Sequence, residues 1–138
     1  MEVIGYIERI SIPELALEGL DAKIDTGADS CSIHCDDITV NEDSSVTFTL
    51  HDEVHVAYHG KQITMPIYKT KKVKSSNGKS ENRIFIKTDL KLGYEVYTAE
   101  ISLTNRKNMK YPVLIGRRFL AHHYLVDVSK KYMTKESR

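Results

Sequence analysis

The sequence predicts an all-β fold, a small closed barrel or a sandwich, with one short helix in the C-terminal half of the chain. Short segments rich in Val, Ile, Thr and Tyr recur along it, and many alternate apolar with polar residues, which is the period of a half-buried strand. Many short strands with one late helix favour a barrel or sandwich over an alternation of strands and helices. The predicted strands are VIGYIERISI, AKID, SVTFTL, VHVAYHG, QITMPIY, RIFIKTDL, YEVYTAEISL, YPVLIG and YLVDV.

Two segments differ from this pattern. GRRFLAHHYL, from Gly116 to Leu125, follows an apolar strand directly and has apolar residues at helical spacing, so it is predicted to be the helix. The polar segment from Lys69 to Arg83 contains Asn77-Gly78, a strong hairpin signal, between apolar flanks. We expect this segment to project as a two-stranded finger, which is either a mobile flap over a site or a solvated loop.

Composition and charge limit the classes of function. With 138 residues, of which 41% are hydrophobic, the chain fits a single domain, residues 1–138. The 20 Lys and Arg residues nearly balance the 19 Asp and Glu residues, which argues against a strongly basic nucleic-acid-binding protein. No window approaches the roughly 18 apolar residues of a membrane span, so we expect a cytoplasmic protein with no membrane partner. Cys31 and Cys35 are expected to be free thiols in a reducing compartment.

The segment AKIDTGADS, from Ala22 to Ser30, places a carboxylate at the end of an apolar strand. Thr26 supplies a hydroxyl that can hydrogen-bond to the backbone, and Gly27 permits a tight turn whose amides point at Asp25. A carboxylate in such a place lowers stability unless hydrogen bonds or a partner charge compensate it. The motif therefore fits either an ordinary turn or a rigidly held reactive acid.

Several further motifs, in a fixed order along the chain, resemble the motifs of known protein families. AKIDTGADS, the projecting hairpin and VLIGRRFL together resemble the retropepsins, the retroviral-type aspartic proteases in which each subunit carries one Asp-Thr-Gly. AKIDTGA, VKSSNGKSENR, ISLTNRKNMKYPVLIGRRFL and VDVSKKY also resemble the bacterial family named ATP-dependent zinc proteases. The resemblance extends from Ile4 to Tyr132, nearly the whole chain, and implies a closed barrel of the retropepsin type.

The resemblance implies an aspartic peptidase that works as a homodimer. Two carboxylates that share one proton supply one acid and one base, and a two-fold axis between two copies of Asp25 would provide that pair. Asp25, Thr26 and Gly27 would form the catalytic turn. Residues 75–78 would form the flap with Arg83 at its base, and Asp29 would pair with Arg117. The residues assigned to substrate binding or to support of the site are Ala28, Asp29, Ser75, Ser76, Asn77, Gly78, Arg83 and Arg117.

The name of the bacterial family mentions zinc and ATP, and we expect neither a metal nor a cofactor. HDEVH, from His51 to His55, has its Glu in the third position, which fits neither His-Glu-x-x-His nor its inverted form. Since the segment alternates as a strand does, His51, His55 and His59 are expected to share one sheet face. CSIHC, from Cys31 to Cys35, supplies one ligand cluster where structural zinc needs two. The sequence also lacks a Gly-rich phosphate-binding loop.

The expected partner is a peptide or protein substrate. Because members of the bacterial family are associated with glutamate-ligase enzymes, the resemblance implies an acidic, glutamylated substrate. The lysines of the hairpin can attract acidic peptides or simply solvate a loop; they are Lys69, Lys71, Lys72, Lys74 and Lys79. Two alternatives are a non-catalytic peptide-binding module on the same fold, and nucleic-acid binding through the hairpin. Nucleic-acid binding is disfavoured because interleaved aromatic residues for base stacking are missing there.

Overall fold

The computed structural model describes residues 1–52, 55, 57–74, 78–105 and 110–134. Twelve strands, a 3-10 turn at Pro13–Leu15 and a one-turn α-helix form within these ranges. The elements are β1 (Glu2–Ile4), β2 (Ile7–Ile12), β3 (Leu17–Ile24), β4 (Cys31–His34), β5 (Asp36–Val40), β6 (Ser45–Thr49), β7 (Gln62–Pro66), β8 (Lys69–Lys74), β9 (Ser80–Leu92), β10 (Glu95–Thr104), β11 (Val113–Ile115), α1 (Arg117–Leu120) and β12 (Tyr124–Val126). In this described part of the chain, no helix has the length and apolar character needed to cross a bilayer.

Six of the strands form a closed barrel. Their order is β10, β4, β11, β3, β2 and β9, and β9 pairs with β10 to close the ring. The pairs β10–β4 and β11–β3 are parallel, and the other pairs in the ring are antiparallel. The predicted all-β closed barrel with one short helix in the C-terminal half is therefore confirmed.

Strand β9 belongs to both the barrel and a projecting hairpin. Its first half pairs with β8 as far as Lys74 opposite Ser80, and its second half pairs with β10 as far as Leu92 opposite Glu95. The two-stranded finger predicted from Asn77-Gly78 is present, and Gly78 has φ +84°, a conformation that glycine adopts without strain. The predicted flap residues Ser75, Ser76 and Asn77 lie outside the described residues.

The inner faces of the barrel strands and of the separate β5–β6–β7 sheet bury apolar side chains in one hydrophobic core. Strand β6 shows the predicted alternation most simply, since Val46 and Phe48 are buried and their neighbours are partly exposed. The burial of such side chains contributes about 1.5–3 kcal/mol each. The largest fully buried side chains are Phe48, Ile4, Ile10, Ile12, Leu15, Leu17, Leu20, Ile33, Leu50, Ile86, Leu90 and Leu92.

The N-terminal segment predicted as one strand is divided into β1 and β2. β1 leaves the barrel and pairs in parallel with β12, with Val3 opposite Leu125. The break falls at Gly5, where a Cβ atom would lie 2.2 Å from the carbonyl oxygen of Lys130. The close passage of the C-terminal segment therefore forces both the break and the glycine.

A buried carboxylate holds this C-terminal segment in place. Glu8, on β2, is fully buried. Its Oε2 accepts the N–H groups of Gly5 at 2.8 Å and Met133 at 2.9 Å, and its Oε1 accepts the N–H of Thr134 at 3.2 Å. We call residues 130–134 the C-terminal strap. Hydrogen bonds to backbone amides compensate the burial of the charge.

The predicted helix from Gly116 to Leu125 is too long. α1 ends at Leu120, because Ala121 has φ −57° and ψ 133° and His122 has φ +70°, neither of which continues a helix. Tyr124 and Leu125 belong to β12 instead, where they pair with β1. The predicted strand YLVDV overlapped the predicted helix here, and its first three residues, Tyr124–Val126, form β12.

Candidate active site

Asp25 stands at the end of β3, fixed between the two strands that flank it in the barrel. The N–H of Ile24, the last residue of β3, donates to the carbonyl of Tyr6 at 2.8 Å, and the N–H of Asp25 donates to the carbonyl of Ile115 at 2.9 Å. The backbone is therefore hydrogen-bonded on both sides at the point where the chain leaves the barrel, at Asp25.

The turn that follows binds the Asp25 carboxylate. The N–H of Gly27 donates to Asp25 Oδ1 at 3.0 Å, and the N–H of Ala28 donates to the Asp25 carbonyl at 3.1 Å. Asp25 is half-buried, whereas Thr26 and Gly27 are exposed. This geometry is the one expected of Asp-Thr-Gly: a short turn orients one carboxylate oxygen and leaves the acid accessible.

The start of α1 packs directly against the turn. The N–H of Arg117 donates to the carbonyl of Ala28 at 2.8 Å, and the N–H of Arg118 donates to the carbonyl of Asp29 at 3.1 Å. A Cβ on Gly116 would lie 2.5 Å from the carbonyl oxygen of Ser30. Glycine is therefore required where the helix meets the turn.

Two neighbouring arginines divide the contacts to the turn. Arg117 Nη1 donates to the carbonyl of Thr26 at 2.9 Å, and its Nη2 lies 3.9 Å from Asp29 Oδ1. Arg118 Nε lies closer to that carboxylate, 3.2 Å from Asp29 Oδ2. The pairing assigned from the sequence, Asp29 with Arg117, is therefore the longer of the two contacts. Sequence reasoning missed Arg118, although its signal, the second Arg of IGRRF, is present.

A cleft of about 250 Å³ opens beside the turn, under the β8–β9 hairpin. It brings together three of the residues assigned from the sequence, Ala28, Asp29 and Arg83, whereas Asp25, Thr26, Gly27, Gly78 and Arg117 are not part of its wall. The lining residues are Ala28, Asp29, Ser30, Ser32, Lys71, Val73, Arg83, Phe85, Ser102, Thr104 and Leu114.

The floor of the cleft is hydroxylic, which sequence reasoning missed. Ser102 Oγ donates to the carbonyl of Cys31 at 3.3 Å, and Thr104 Oγ1 donates to the carbonyl of Ile33 at 3.2 Å. Both residues lie on β10, next to β4. Polar residues at buried positions of a strand were the available signal.

The hairpin contributes the cations of the cleft. Lys71 and Arg83 are cross-strand partners, and both line the cleft. Arg83 Nε lies 2.9 Å from Glu81 Oε1. Two residues before Lys71 on β8, Lys69 Nζ donates to Glu100 Oε1 at 2.8 Å. That hydrogen bond is the main reason that the pKa of Glu100 lies below its ordinary range.

The histidine-rich segment was predicted wrongly. Its described residues, 51, 52, 55 and 57–60, form a loop between β6 and β7 and no strand. The loop is held by Tyr58, whose hydroxyl donates to the carbonyl of His34 at 2.6 Å, and by His59, whose Nε2 lies 2.9 Å from the carbonyl oxygen of Leu15. The expected common sheet face of three histidines therefore does not form.

Among the residues that the structure describes, no group of three or more His, Cys, Asp or Glu side chains is arranged to hold a metal ion. Cys31 and Cys35 are buried free thiols, as predicted from the cysteine count. Burial raises the pKa of Cys31 to about 11 and that of Cys35 to about 12.

Curated relatives are similar over nearly the whole chain. A protein named "Probable alpha-L-glutamate ligase" from Shewanella pealeana is 30% identical over 97% of this chain and 30% of its own length. A protein of the same name from Desulfotalea psychrophila is 33% identical over 91% of this chain and 28% of its own length. The chain therefore spans less than a third of the length of these relatives.

A solved structure and a family model match as well. The crystal structure of Lpg0085, a protein of unknown function (DUF785) from Legionella pneumophila, is 30% identical and has a TM-score of 0.77. The match covers 97% of this chain and 98% of that one. The family model described as "RimB-like: Retropepsin-like aspartic endopeptidase RimB" matches residues 3–137.

Proposed function

Because this chain belongs to the RimB-like family of retropepsin-like aspartic endopeptidases, we propose that it hydrolyses peptide bonds by an aspartic-protease mechanism. Asp25 from each of two subunits would activate the attacking water. The observation that carries the proposal is the position of the half-buried Asp25 carboxylate. It accepts a hydrogen bond from the Gly27 N–H at 3.0 Å, and it stands at the end of a strand whose backbone is hydrogen-bonded on both sides. Such a fixed acid needs little reorganisation before it reacts.

A homodimer is part of this proposal. The chain has one Asp-Thr-Gly, and the chemistry needs two carboxyl groups, one protonated and one ionised. Two carboxylates brought close together cannot both ionise, so a symmetric pair holds one proton between them. An isologous interface places the same residue of both copies on a two-fold axis. We therefore propose that the two copies of Asp25 meet across that axis.

In the proposed reaction the ionised Asp25 takes a proton from water while the water oxygen bonds to the carbonyl carbon. The protonated Asp25 of the partner subunit donates its proton to the carbonyl oxygen. When the tetrahedral intermediate collapses, the carbon–nitrogen bond breaks and the nitrogen receives a proton from the acid pair. Each assisted proton transfer contributes a factor of about 10²–10⁴ in rate. The β8–β9 hairpin would cover the substrate and exclude bulk water.

We further propose that the substrate is an acidic, glutamylated polypeptide. Lys71 and Arg83 lie side by side in the cleft next to the catalytic turn, and adjacent cations favour carboxylate side chains. The relatives named as alpha-L-glutamate ligases lend support, since a domain like this one forms part of a chain whose name refers to joining glutamate. A peptidase that acts on glutamyl chains would reverse such a reaction.

The test is incubation of the protein with a glutamate-tailed peptide, followed by mass spectrometry of the products. We expect cleavage by the parent protein and none by Asp25→Asn, with unchanged circular dichroism. Asp37→Asn is the matched control, because Asp37 is exposed on β5 and its φ of +52° suits Asn.

Sedimentation equilibrium on the same samples tests the dimer. Cleavage that persists in Asp25→Asn would exclude the aspartic mechanism. Peptide binding with no cleavage by a dimeric parent protein would favour the non-catalytic binding module instead.

A further inference from the structure

Two cations, Lys71 and Arg83, line the wall of the cleft, and further cations lie near it. Lys69 and Lys71 are two residues apart on β8, so their side chains leave the same face of the hairpin. Lys71 lines the cleft, and no residue in the described ranges forms an ion pair with it. Three more cations lie near the cleft: Lys69, which is hydrogen-bonded to Glu100, Lys87, which is opposite Glu100 in the sheet, and Arg118, which is paired with Asp29.

Glu100 lies where these three cations converge. Lys69 Nζ is hydrogen-bonded to its Oε1 at 2.8 Å. Lys87 is its directly opposite partner in the β9–β10 register, where side chains are near neighbours. Arg118 lines, together with Glu100, a small cavity of about 60 Å³ behind the cleft. The hydrogen bond from Lys69, followed by the charges of Lys69, Arg118 and Lys87, holds the pKa of Glu100 below its ordinary value of 4.5. The carboxylate is therefore ionised at neutral pH.

The position of Glu100 connects it to the cleft. Ser30 lines both the cleft and the small cavity. Arg118 reaches from that cavity to Asp29, in the wall of the cleft. A change of charge at Glu100 will therefore alter the electrostatic potential at the edge of the cleft, where an acidic ligand would approach.

We propose that Glu100 is a specificity-determining residue: its carboxylate occupies Lys69 and lowers the positive potential at Lys87 and Arg118, so that an acidic peptide binds at Lys71 and in one register. The inference rests on the acidic substrate proposed above. Without Glu100, Lys69 would lose its carboxylate partner and the positive potential at Lys87 and Arg118 would rise, so these cations would compete with Lys71 for substrate carboxylates. An acidic chain would then bind more tightly but in several registers, because each cation could take the place of Lys71.

Binding can be measured without turnover, in the Asp25→Asn background, by the fluorescence anisotropy of a labelled oligoglutamate peptide. Adding Glu100→Gln should lower Kd about fivefold at low salt, the size expected of one partly exposed ion pair. The gain should shrink as salt screens the cations. Glu95→Gln is the matched control, since it removes one carboxylate from the same strand, away from the cleft. It should leave Kd within about twofold. Glu100→Asp, which keeps the charge, should bind as the parent does.

The parent protein and Glu100→Gln, both with Asp25 intact, should differ in product pattern. We expect a narrow set of cleavage positions for the parent and a broader set for Glu100→Gln, with a lower KM. If Glu100 had a merely structural role, Glu100→Gln would lower the thermal midpoint but would change neither the set of cleavage positions nor the KM.

Three results would overturn the inference: an unchanged or raised Kd in Glu100→Gln, an equal gain in Glu95→Gln, or no oligoglutamate binding by any variant. Tighter binding by Glu100→Gln in a protein that never cleaves would refute the proposed hydrolysis and leave the role of Glu100 standing.

Discussion

The guanidinium of Arg118 lies 3.2 Å from the carboxylate of Asp29. Its neighbour Arg117 instead donates to the carbonyl of Thr26, inside the Asp-Thr-Gly turn, at 2.9 Å. One arginine thus braces the turn and the other holds the acid at the wall of the cleft. The side chains of Arg117, Arg118 and Asp29 are about half exposed, at 55%, 58% and 46%. Each contact is therefore worth about 1 kcal/mol or less.

Substitution of the two arginines should separate these roles. Arg117→Met removes the hydrogen bond to the turn, so the Gly27 amide should exchange with solvent about five times faster. Arg118→Met leaves that bond intact, and the exchange of the Gly27 amide should not change. Amide hydrogen exchange followed by NMR measures both. The division of roles is wrong if Arg118→Met speeds the exchange of Gly27 as much as Arg117→Met does.

Gly116→Ala should destabilise the fold by about 2–3 kcal/mol. The added methyl group would meet the carbonyl oxygen of Ser30 at 2.5 Å, and relief of such an overlap requires the turn and helix to move apart. Urea unfolding gives the free energy. Gly19→Ala is the control, because nothing lies within 4 Å of a Cβ there and only its φ of +66° opposes the change. That variant should lose about 1 kcal/mol, and an equal loss in both would contradict the close approach at Gly116.

Glu8→Gln should cost about 2 kcal/mol and loosen the C-terminal strap. The amide keeps one acceptor oxygen and turns the other into a donor, so at least one N–H from Gly5, Met133 or Thr134 loses its acceptor in a buried place. Thermal unfolding together with limited proteolysis near residue 130 would detect the change. Glu18→Gln, at an exposed position of β3, should change neither measurement. Unaltered cleavage in Glu8→Gln would mean that the carboxylate does not hold the strap.

The two thiols should resist alkylation in the folded protein. Burial raises the pKa of Cys31 from 9.0 to about 11, and it raises the pKa of Cys35 from 9.0 to about 12. The reactive thiolate is therefore scarce at neutral pH. Because the folded state holds these protons more tightly, their contribution to stability is complete below pH 9 and is lost as the pH rises through about 11 for Cys31 and about 12 for Cys35. Iodoacetamide labelling at pH 8 should be at least about tenfold slower than in urea, and equal rates would contradict the burial.

Local patterns were sufficient for the all-β class, the hairpin and the turn at Asp25, whereas the choice of a closed barrel over a sandwich followed from the family resemblance. Alternation along segments such as SVTFTL predicts which side chains point inward, and Asn77-Gly78 predicts the hairpin. The turn at Asp25 also follows from a short motif, because its geometry depends on backbone freedom at Gly27. These features are set within a few residues of sequence.

Features that depend on distant partners were not predictable. The division between β1 and β2 at Gly5 follows from the passage of Lys130. The choice between Arg117 and Arg118 depends on the direction in which a one-turn helix points its side chains. Residues 51, 52, 55 and 57–60 form a loop whose path depends on distant partners, since Tyr58 and His59 are anchored to the carbonyl groups of His34 and Leu15. The alternation in this segment therefore does not correspond to a strand.

The contact between Glu8 and Thr134 joins residues 126 positions apart, and this has a consequence for synthesis on the ribosome. The carboxylate of Glu8 is made well before two of its three amide donors, those of Met133 and Thr134, which follow it by 125 and 126 residues. Closing so long a loop has a large entropic cost and slows folding. During translation the N-terminal strands therefore hold an acid that stays in water. The nascent chain can seal the barrel end only after the strap has left the exit tunnel.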